Sequence, residues 1–176
     1  MIYVCGILDL AELAATLGPG ALVSIVAPEE QPPTPPEVAA AAHLRLSCHD
    51  IVEPAPMEIL PDRRIVKRLI AFARDWRPEA PMLVHCQAGI SRSAAAALVS
   101  YAAHFPDTVE RAAAHLRHSG PHVSPNPLIV ALGDELLGLD GRLIAATQSM
   151  GPPALIIDDG PAVIPHPDHA DAAPTE

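Results

Sequence analysis

Aromatic side chains are scarce in this chain of 176 residues. Phe, Trp and Tyr make up 3% of it, whereas 49% of the residues are hydrophobic, so the core must be built from Ala, Val, Leu and Ile. This composition argues against a large aromatic recognition surface. The length fits one domain, which can bury a core of its own without disulfide bonds.

Positive charge is also limited. The chain has 11 basic and 21 acidic residues, which gives a formal net charge of −10. Such a charge opposes nonspecific attraction to polyanions, so we expect neither nucleic acid nor an anionic membrane as a partner. Any site for an anion must therefore be built locally.

Cysteines are few, and long apolar runs are missing. Cys5, Cys48 and Cys86 form neither a CxxC pair nor an even set for disulfides, and the amino terminus has no signal-peptide pattern. No apolar run approaches the roughly 20 residues that a membrane span needs. We expect a soluble protein of the reducing cytoplasm.

Short apolar runs alternate with segments of helical periodicity. Strands are predicted at residues 1–5, 21–27, 43–48 and 82–85, and helices at about residues 9–17, 62–76, 93–105, 107–119, 126–139 and 142–150, with a short one within 35–43. This alternation predicts an α/β fold, with a central, mostly parallel β-sheet flanked by helices on both faces. Residues 1–150 are expected to form the single domain.

The carboxyl-terminal segment has a different composition. Residues 151–176 are rich in Pro, Ala and Asp, which favours a flexible tail, and only residues 155–157 are expected to dock on the domain.

The stretch LVHCQAGISRSAAAA, residues 83–97, carries the strongest chemical signal. A strand ends at Cys86 and a helix begins near Arg92, so a tight loop lies at the carboxyl end of a strand, where α/β folds bind ligands. Gly89 permits an unusual turn, and the loop amides together with the helix amino end can hold an anion. Such surroundings favour the thiolate, which is the nucleophilic form of cysteine.

Arg92 completes this pattern at the far end of the loop. A planar guanidinium can hold two oxygens of a phosphate group at once, which a lysine cannot do. Cysteine, inward amides and arginine together indicate a site for a tetrahedral dianion, with the sulfur placed to attack its central atom.

Residues 85–93, HCQAGISRS, resemble the HCxxGxxR[S/T] signature of cysteine-dependent protein-tyrosine and dual-specificity phosphatases. A weaker resemblance, to small bacterial members of that superfamily, extends over about residues 40–145. It implies hydrolysis of phosphate monoesters through a phosphocysteine intermediate, with no metal and no other cofactor. Cys86 would be the nucleophile, Arg92 the phosphate clamp, Ser93 the hydroxyl that eases departure of the sulfur, and His85 the residue that orients the loop. The implied phosphate-binding residues are Gln87, Ala88, Gly89, Ile90, Ser91 and Arg92.

The resemblance also implies a general acid, an aspartate on a loop upstream of the cysteine. Asp50, just after a predicted strand, is the best match. Glu53, Glu58 and Asp62 are the alternatives, although Asp62 is well explained as a helix cap. Asn126, in the segment SPNP, resembles a supporting residue that opens a helix behind the cysteine loop.

Substrate and alternatives remain open at the level of sequence. The variable positions of the loop carry no lysine, which resembles family members that act on single phosphates, so a phosphorylated protein or a small phosphate monoester is the expected substrate. Competing hypotheses are a catalytically impaired domain that binds phosphorylated partners, a rhodanese-like sulfur carrier, and an inert packing cysteine.

Pairs of histidines such as His115 and His118 lack completing ligands, so no metal is expected. Cys48 is either a core residue or a partner for an oxidised Cys86. The sequence does not fix the oligomeric state.

Overall fold

The centre of the fold is a five-stranded sheet. The computed structural model describes residues 1–155 and 160–169. The strands are β1 (Ile2–Cys5), β2 (Ala21–Val26), β3 (His43–Ser47), β4 (Met82–His85) and β5 (Ala162–Ile164), in the order β3-β2-β4-β1-β5. The first four run parallel and β5 is antiparallel to β1. The predicted α/β fold with a mostly parallel sheet is confirmed.

Helices cover both faces of this sheet. They are α1 (Leu10–Leu17), α2 (Arg63–Asp75), α3 (Arg92–Ala102), α4 (Val109–Ser119), α5 (Pro127–Leu137) and α6 (Arg142–Ser149). Helix α1 packs on one face, against Leu22 and Leu83, and the other five form the larger core on the opposite face. The short helix predicted within residues 35–43 is only a 3-10 turn over Ala40–Ala42.

Helix α3 is the central helix of the larger core. All of its residues are buried, and its run of small side chains lets it approach the sheet closely. Helix α5 also packs tightly against α3. A Cβ on Gly133 would lie 2.3 Å from Val99 Cγ2, so only glycine fits at this contact. A residue at the amino end of α3 is therefore held in place from several sides.

The segment after residue 150, predicted to lie outside the domain, adds a strand to the sheet. Strand β5 pairs with β1, and Ser119 Oγ both donates to Val163 O and accepts from Val163 N. The domain therefore includes residues beyond the predicted boundary at residue 150. A strand of three residues among prolines and aspartates is too short to show an alternating pattern in the sequence. The predicted docking of residues 155–157 fails at Leu155, which is fully exposed, while 156 and 157 lie outside the described residues.

No helix within the described residues combines the length and the apolar character required to cross a bilayer.

Candidate active site

The cysteine loop, residues 86–92, lies between the middle strand of the sheet and the most buried helix. Strand β4 has β2 on one side and β1 on the other, and it ends at His85, while α3 begins at Arg92. Three carbonyls of the loop accept backbone hydrogen bonds from the surrounding chain, namely Gln87 O from Ile7 N (3.1 Å), Ile90 O from Ser124 N (3.0 Å) and Ser91 O from Asn126 N (3.2 Å).

These three bonds determine which way the loop amides face. The N–H of a trans peptide points opposite to its C=O, so the amides of Ala88, Ser91 and Arg92 point away from the bonded neighbours, toward the inside of the loop. The first turn of α3 closes with the bond from Ala95 N to Ser91 O, and amides ahead of it have no acceptor within the helix. The loop therefore presents a concave surface of N–H groups suited to an anion.

Gly89 is required by two features of its position. Its φ is +75°, a backbone conformation that residues with a side chain rarely adopt. A Cβ there would also lie 2.6 Å from Gly6 N and 2.7 Å from the carbonyl carbon of Cys5, because the loop crosses directly over the end of β1. The loop could not take this path with another residue at position 89.

Cys86 lies at the base of the loop, with 2% of its surface exposed. Its Sγ is 3.1 Å from Ser93 Oγ, which is itself fully buried. The other two cysteines have different surroundings, because burial raises the pKa of Cys5 and of Cys48 to about 12. Those two thiols stay protonated at neutral pH, so neither is a competing nucleophile.

One guanidinium nitrogen of Arg92 donates a hydrogen bond to the backbone, and another has no acceptor among the described residues. Nη1 donates to the backbone carbonyl of Cys48 at 2.8 Å, and the residue is 7% exposed. Its Nε is buried and donates to no partner within residues 1–155 and 160–169. A buried charged donor without an acceptor is costly, which makes this nitrogen a natural ligand for an anion in the loop.

His85 is a neutral imidazole with a defined orientation. Burial lowers its pKa to about 4, with the Arg92 charge acting in the same direction and the bond to Cys86 O acting against both. Nδ1 is 3.2 Å from Cys86 O, and because a carbonyl only accepts, the Nδ1–H donates. His85 thus holds the Cys86 peptide rather than supplying charge.

Asp50 reaches the rim of the cysteine loop. Its Oδ1 accepts from Ser91 Oγ at 2.8 Å and from Asn126 Nδ2 at 2.8 Å. Asn126 in turn accepts from Leu128 N and Ile129 N through Oδ1, which caps α5. Asn126 therefore connects the Asp50 loop to the start of α5.

The rival carboxylates lie elsewhere. Asp62 Oδ1 accepts from Ile65 N at 2.8 Å and caps α2. Glu53 and Glu58 are exposed, and within the described part of the chain their side chains make no hydrogen bond or ion pair. Asp50 is thus the candidate acid that contacts the loop, and its Oδ2 has no hydrogen-bond partner among the described residues.

Two contributors to the site were missed from the sequence. Ser24, in the middle of β2, lies 2.6 Å from His85 Nε2, and the Cys48 carbonyl anchors Arg92. A lone serine within the all-buried strand ALVSIV was a usable signal, because a polar side chain there needs a buried partner. A carbonyl acceptor leaves no trace in a sequence. In residues 1–155 and 160–169, no three His, Cys, Asp or Glu side chains gather as metal ligands would.

The architecture defines a class of fold, a parallel sheet whose middle strand leads through a cysteine loop into a buried helix, as in the cysteine-dependent dual-specificity phosphatases. Among solved structures, human DUSP28 has a TM-score of 0.59 at 22% identity, with 82% of this chain and 94% of that chain covered. DUSP15 has a TM-score of 0.57 at 19% identity, covering 85% and 89%. Cydia pomonella PTP-2 phosphatase has a TM-score of 0.53 at 18% identity, covering 76% and 84%.

No protein-family model matches the sequence, and a search of curated proteins finds no significant match. At these identities the structural likeness establishes the fold: the chain has the fold of the dual-specificity phosphatases.

Proposed function

We propose that the protein hydrolyses phosphate monoesters by covalent catalysis at Cys86, as a protein-tyrosine or dual-specificity phosphatase. The observation that carries this proposal is Arg92, at the end of a loop that begins with the cysteine. Its buried guanidinium is fixed through Nη1, and its Nε has no hydrogen-bond partner in the described part of the chain. Neither a packing cysteine nor a sulfur carrier requires a buried arginine with a free donor. A phosphoryl group supplies the missing acceptor.

In the first step the Cys86 thiolate attacks phosphorus. A bond forms between sulfur and phosphorus, and the bond from phosphorus to the ester oxygen breaks. The loop amides and Arg92 hold the other three oxygens, where negative charge is spread in the transition state. Asp50, protonated on Oδ2, gives its proton to the departing oxygen, since an alkoxide or phenoxide is a poor leaving group.

In the second step water attacks the phosphocysteine. Asp50, now a carboxylate, takes a proton from that water, the new oxygen–phosphorus bond forms and the sulfur–phosphorus bond breaks, which releases inorganic phosphate. Ser93 Oγ, 3.1 Å from Sγ, donates a hydrogen bond to the departing thiolate and keeps its proton. Both steps use groups of this chain and one water molecule.

The loop favours a substrate with a single phosphate. Arg92 is the one basic residue in the sequence CQAGISR, so extra phosphates would find no further cation in the loop. Three neighbours in the fold are called phosphatases or carry the DUSP name, which supports a phosphoprotein or small aryl phosphate as substrate. A reaction that depends on a free thiol suits a reducing compartment such as the cytoplasm.

The test measures hydrolysis of para-nitrophenyl phosphate together with trapping of phosphocysteine by rapid denaturation. We expect turnover in the wild type with phosphate trapped on Cys86, and no turnover in Cys86→Ser. Cys5→Ala, at a buried cysteine on the opposite face of the sheet, is the matched control and should remain active. Turnover in Cys86→Ser would overturn the proposal. Wild-type protein that binds vanadate without turnover would instead favour a domain that only binds phosphorylated partners.

A further inference from the structure

A continuous set of side-chain hydrogen bonds leads from His85 to the edge of the sheet. Its contacts are His85 Nε2 to Ser24 Oγ (2.6 Å), Ser24 Oγ to His43 Nε2 (2.7 Å), His43 Nδ1 to Thr34 Oγ1 (2.9 Å) and Arg45 Nη2 to Thr34 Oγ1 (3.0 Å). Ser24 and His85 are fully buried and His43 is 8% exposed. We call Ser24, His43 and Thr34 the buried relay.

The Cys86 carbonyl fixes the direction of every bond in this set. It can only accept, so the hydrogen of neutral His85 is on Nδ1 and its Nε2 accepts the one hydrogen of Ser24. Ser24 Oγ can then only accept from His43, whose hydrogen is therefore on Nε2. His43 Nδ1 in turn accepts from Thr34, and Thr34 Oγ1 accepts from Arg45 Nη2.

The opposite direction cannot satisfy the same atoms. If His85 carried its hydrogen on Nε2, the lone pair of Nδ1 would face the lone pairs of Cys86 O at 3.2 Å. Burial lowers the pKa of both His43 and His85 to about 4, so both rings are neutral at physiological pH and each has one donor and one acceptor. The relay thus has one complete arrangement.

We propose that Ser24, His43 and Thr34 are positioning residues that lock His85 in its Nδ1–H tautomer and thereby hold the Cys86 peptide for attack. The inference rests on the proposed function, because the residue held in place is the proposed nucleophile. Within the described residues, none of the three side chains makes a hydrogen bond to residues 86–92, so each acts through His85. Without the relay, the bond to Cys86 O alone selects the tautomer of His85, so the Cys86 peptide is held less firmly and the loop amides that follow it turn more easily.

The decisive pair of variants is Thr34→Val and Thr34→Ser. Both change a half-buried residue on a proline-rich segment, and only the first removes the hydroxyl. We expect kcat to fall roughly tenfold in Thr34→Val with a smaller change in KM, and to stay within about twofold in Thr34→Ser. His43→Gln, whose amide offers a donor and an acceptor, should retain more activity than His43→Leu.

The second readout does not depend on turnover. Long-range proton–nitrogen NMR spectra of the histidine rings should show hydrogen on Nδ1 of His85 and on Nε2 of His43 in the wild type. The Thr34→Val spectrum should lose this pattern, with a circular dichroism spectrum like that of the wild type. Hydrogen on His85 Nε2 in the wild type, or Thr34→Val matching Thr34→Ser in both kcat and spectra, would overturn the relay. A wild type with the expected tautomers and no hydrolysis would refute the proposed function and leave the tautomer lock standing.

Discussion

The three cysteines show how burial and partners separate residues of one type. Cys5 and Cys48 lie in apolar packing, and burial raises the pKa of each to about 12. Cys86 is just as inaccessible by area, but it begins a loop of inward amides, and its sulfur contacts a hydroxyl. Solvent exposure therefore does not distinguish the proposed nucleophile from the other two cysteines, whereas the hydrogen-bond donors around its sulfur do.

Asp50 is the residue whose role is most directly testable. In Asp50→Asn the amide keeps an oxygen for Ser91 and Asn126 but has no proton to give, so the fold is retained and acid catalysis is lost. We expect hydrolysis of phenyl phosphate, with its poor leaving group, to slow about 100-fold, and that of para-nitrophenyl phosphate to slow less. The measurement is kcat for both substrates.

Glu53→Gln is the control for that experiment. Glu53 lies on the same loop, is exposed, and has no partner among the described side chains, so the substitution should leave both rates unchanged. An Asp50→Asn variant as active as wild type on phenyl phosphate would remove Asp50 from the mechanism, and a slow Glu53→Gln would transfer the role to it.

At the scale of elements, the cysteine loop depends on a close crossing over β1. Gly89→Ala introduces a Cβ 2.6 Å from Gly6 N in a conformation with φ of +75°. We expect the free energy of unfolding to fall by more than about 1 kcal/mol, the usual scale for a strained backbone alone, because the backbone of β1 must also move. Activity should fall with it, as measured by urea unfolding and by para-nitrophenyl phosphate hydrolysis.

Gly138→Ala separates the effect of backbone strain from that of the steric clash with β1. Gly138 ends α5 with φ of +67°, and a Cβ there would meet nothing within 4 Å. It therefore carries the backbone strain without the clash, and we expect a loss of about 1 kcal/mol with full activity. Equal losses of stability in the two variants would show that the crossing over β1 is not tight.

The predicted elements and the missed ones differ in where their signals lie. Helices α1 to α6 and the four parallel strands follow from local periodicity and capping residues such as Asp62, and all are found. The cysteine loop follows from a dense motif. Strand β5 has three residues, too few for a pattern, and it depends on pairing with β1.

The buried relay was not predictable for a different reason. Ser24, His43 and His85 stand on three adjacent strands, β2, β3 and β4, far apart in sequence. Their side chains meet only in the register that pairs Ser24 with His85 and Leu22 with His43, and a shift by one residue would turn them to opposite faces. The sequence around His43 therefore carries no sign of this role, although the residue occupies the middle of a connected set of hydrogen bonds.

For the molecule as a whole, a net charge of −10 opposes the approach of the dianion that the proposed function requires. The proposed site would hold that anion with Arg92 and the loop amides rather than with a basic surface, and the burial of Arg92 limits the screening of its charge. Two neutral histidines sit beside this arrangement, at the junction of three strands. Because the folded protein keeps both rings neutral, its stability depends on pH.

Stability should fall with acid because of these two rings. His43 and His85 have a pKa of about 4 in the folded protein against an ordinary value of 6.5, as burial, the Arg45 charge facing His43 and the Arg92 charge facing His85 all disfavour protonation. Below pH 6.5 these two histidines become protonated in the unfolded chain, whereas in the folded protein they stay neutral until the pH approaches 4. The contribution is thus complete above that pH and is lost as pH falls toward 4, by up to about 1.4 kcal/mol per pH unit for each ring.

Urea unfolding at pH 7.5, 6.0 and 5.0 measures this loss, and His43→Gln isolates half of it. A glutamine keeps a donor toward Ser24 and an acceptor for Thr34 but cannot titrate, so its free energy of unfolding should decline less steeply with acid than that of the wild type. His118→Gln, at an exposed side chain on α4 outside the relay, should change the slope less than His43→Gln does. Carboxylates that titrate in the same range are common to all three proteins and cancel in the comparison. If His43→Gln and wild type lost stability in parallel, His43 would bind protons in the folded protein as readily as in the unfolded chain, and below about pH 6.5 the relay, which needs His43 Nδ1 as an acceptor, could not hold His85 in the tautomer that supports Cys86.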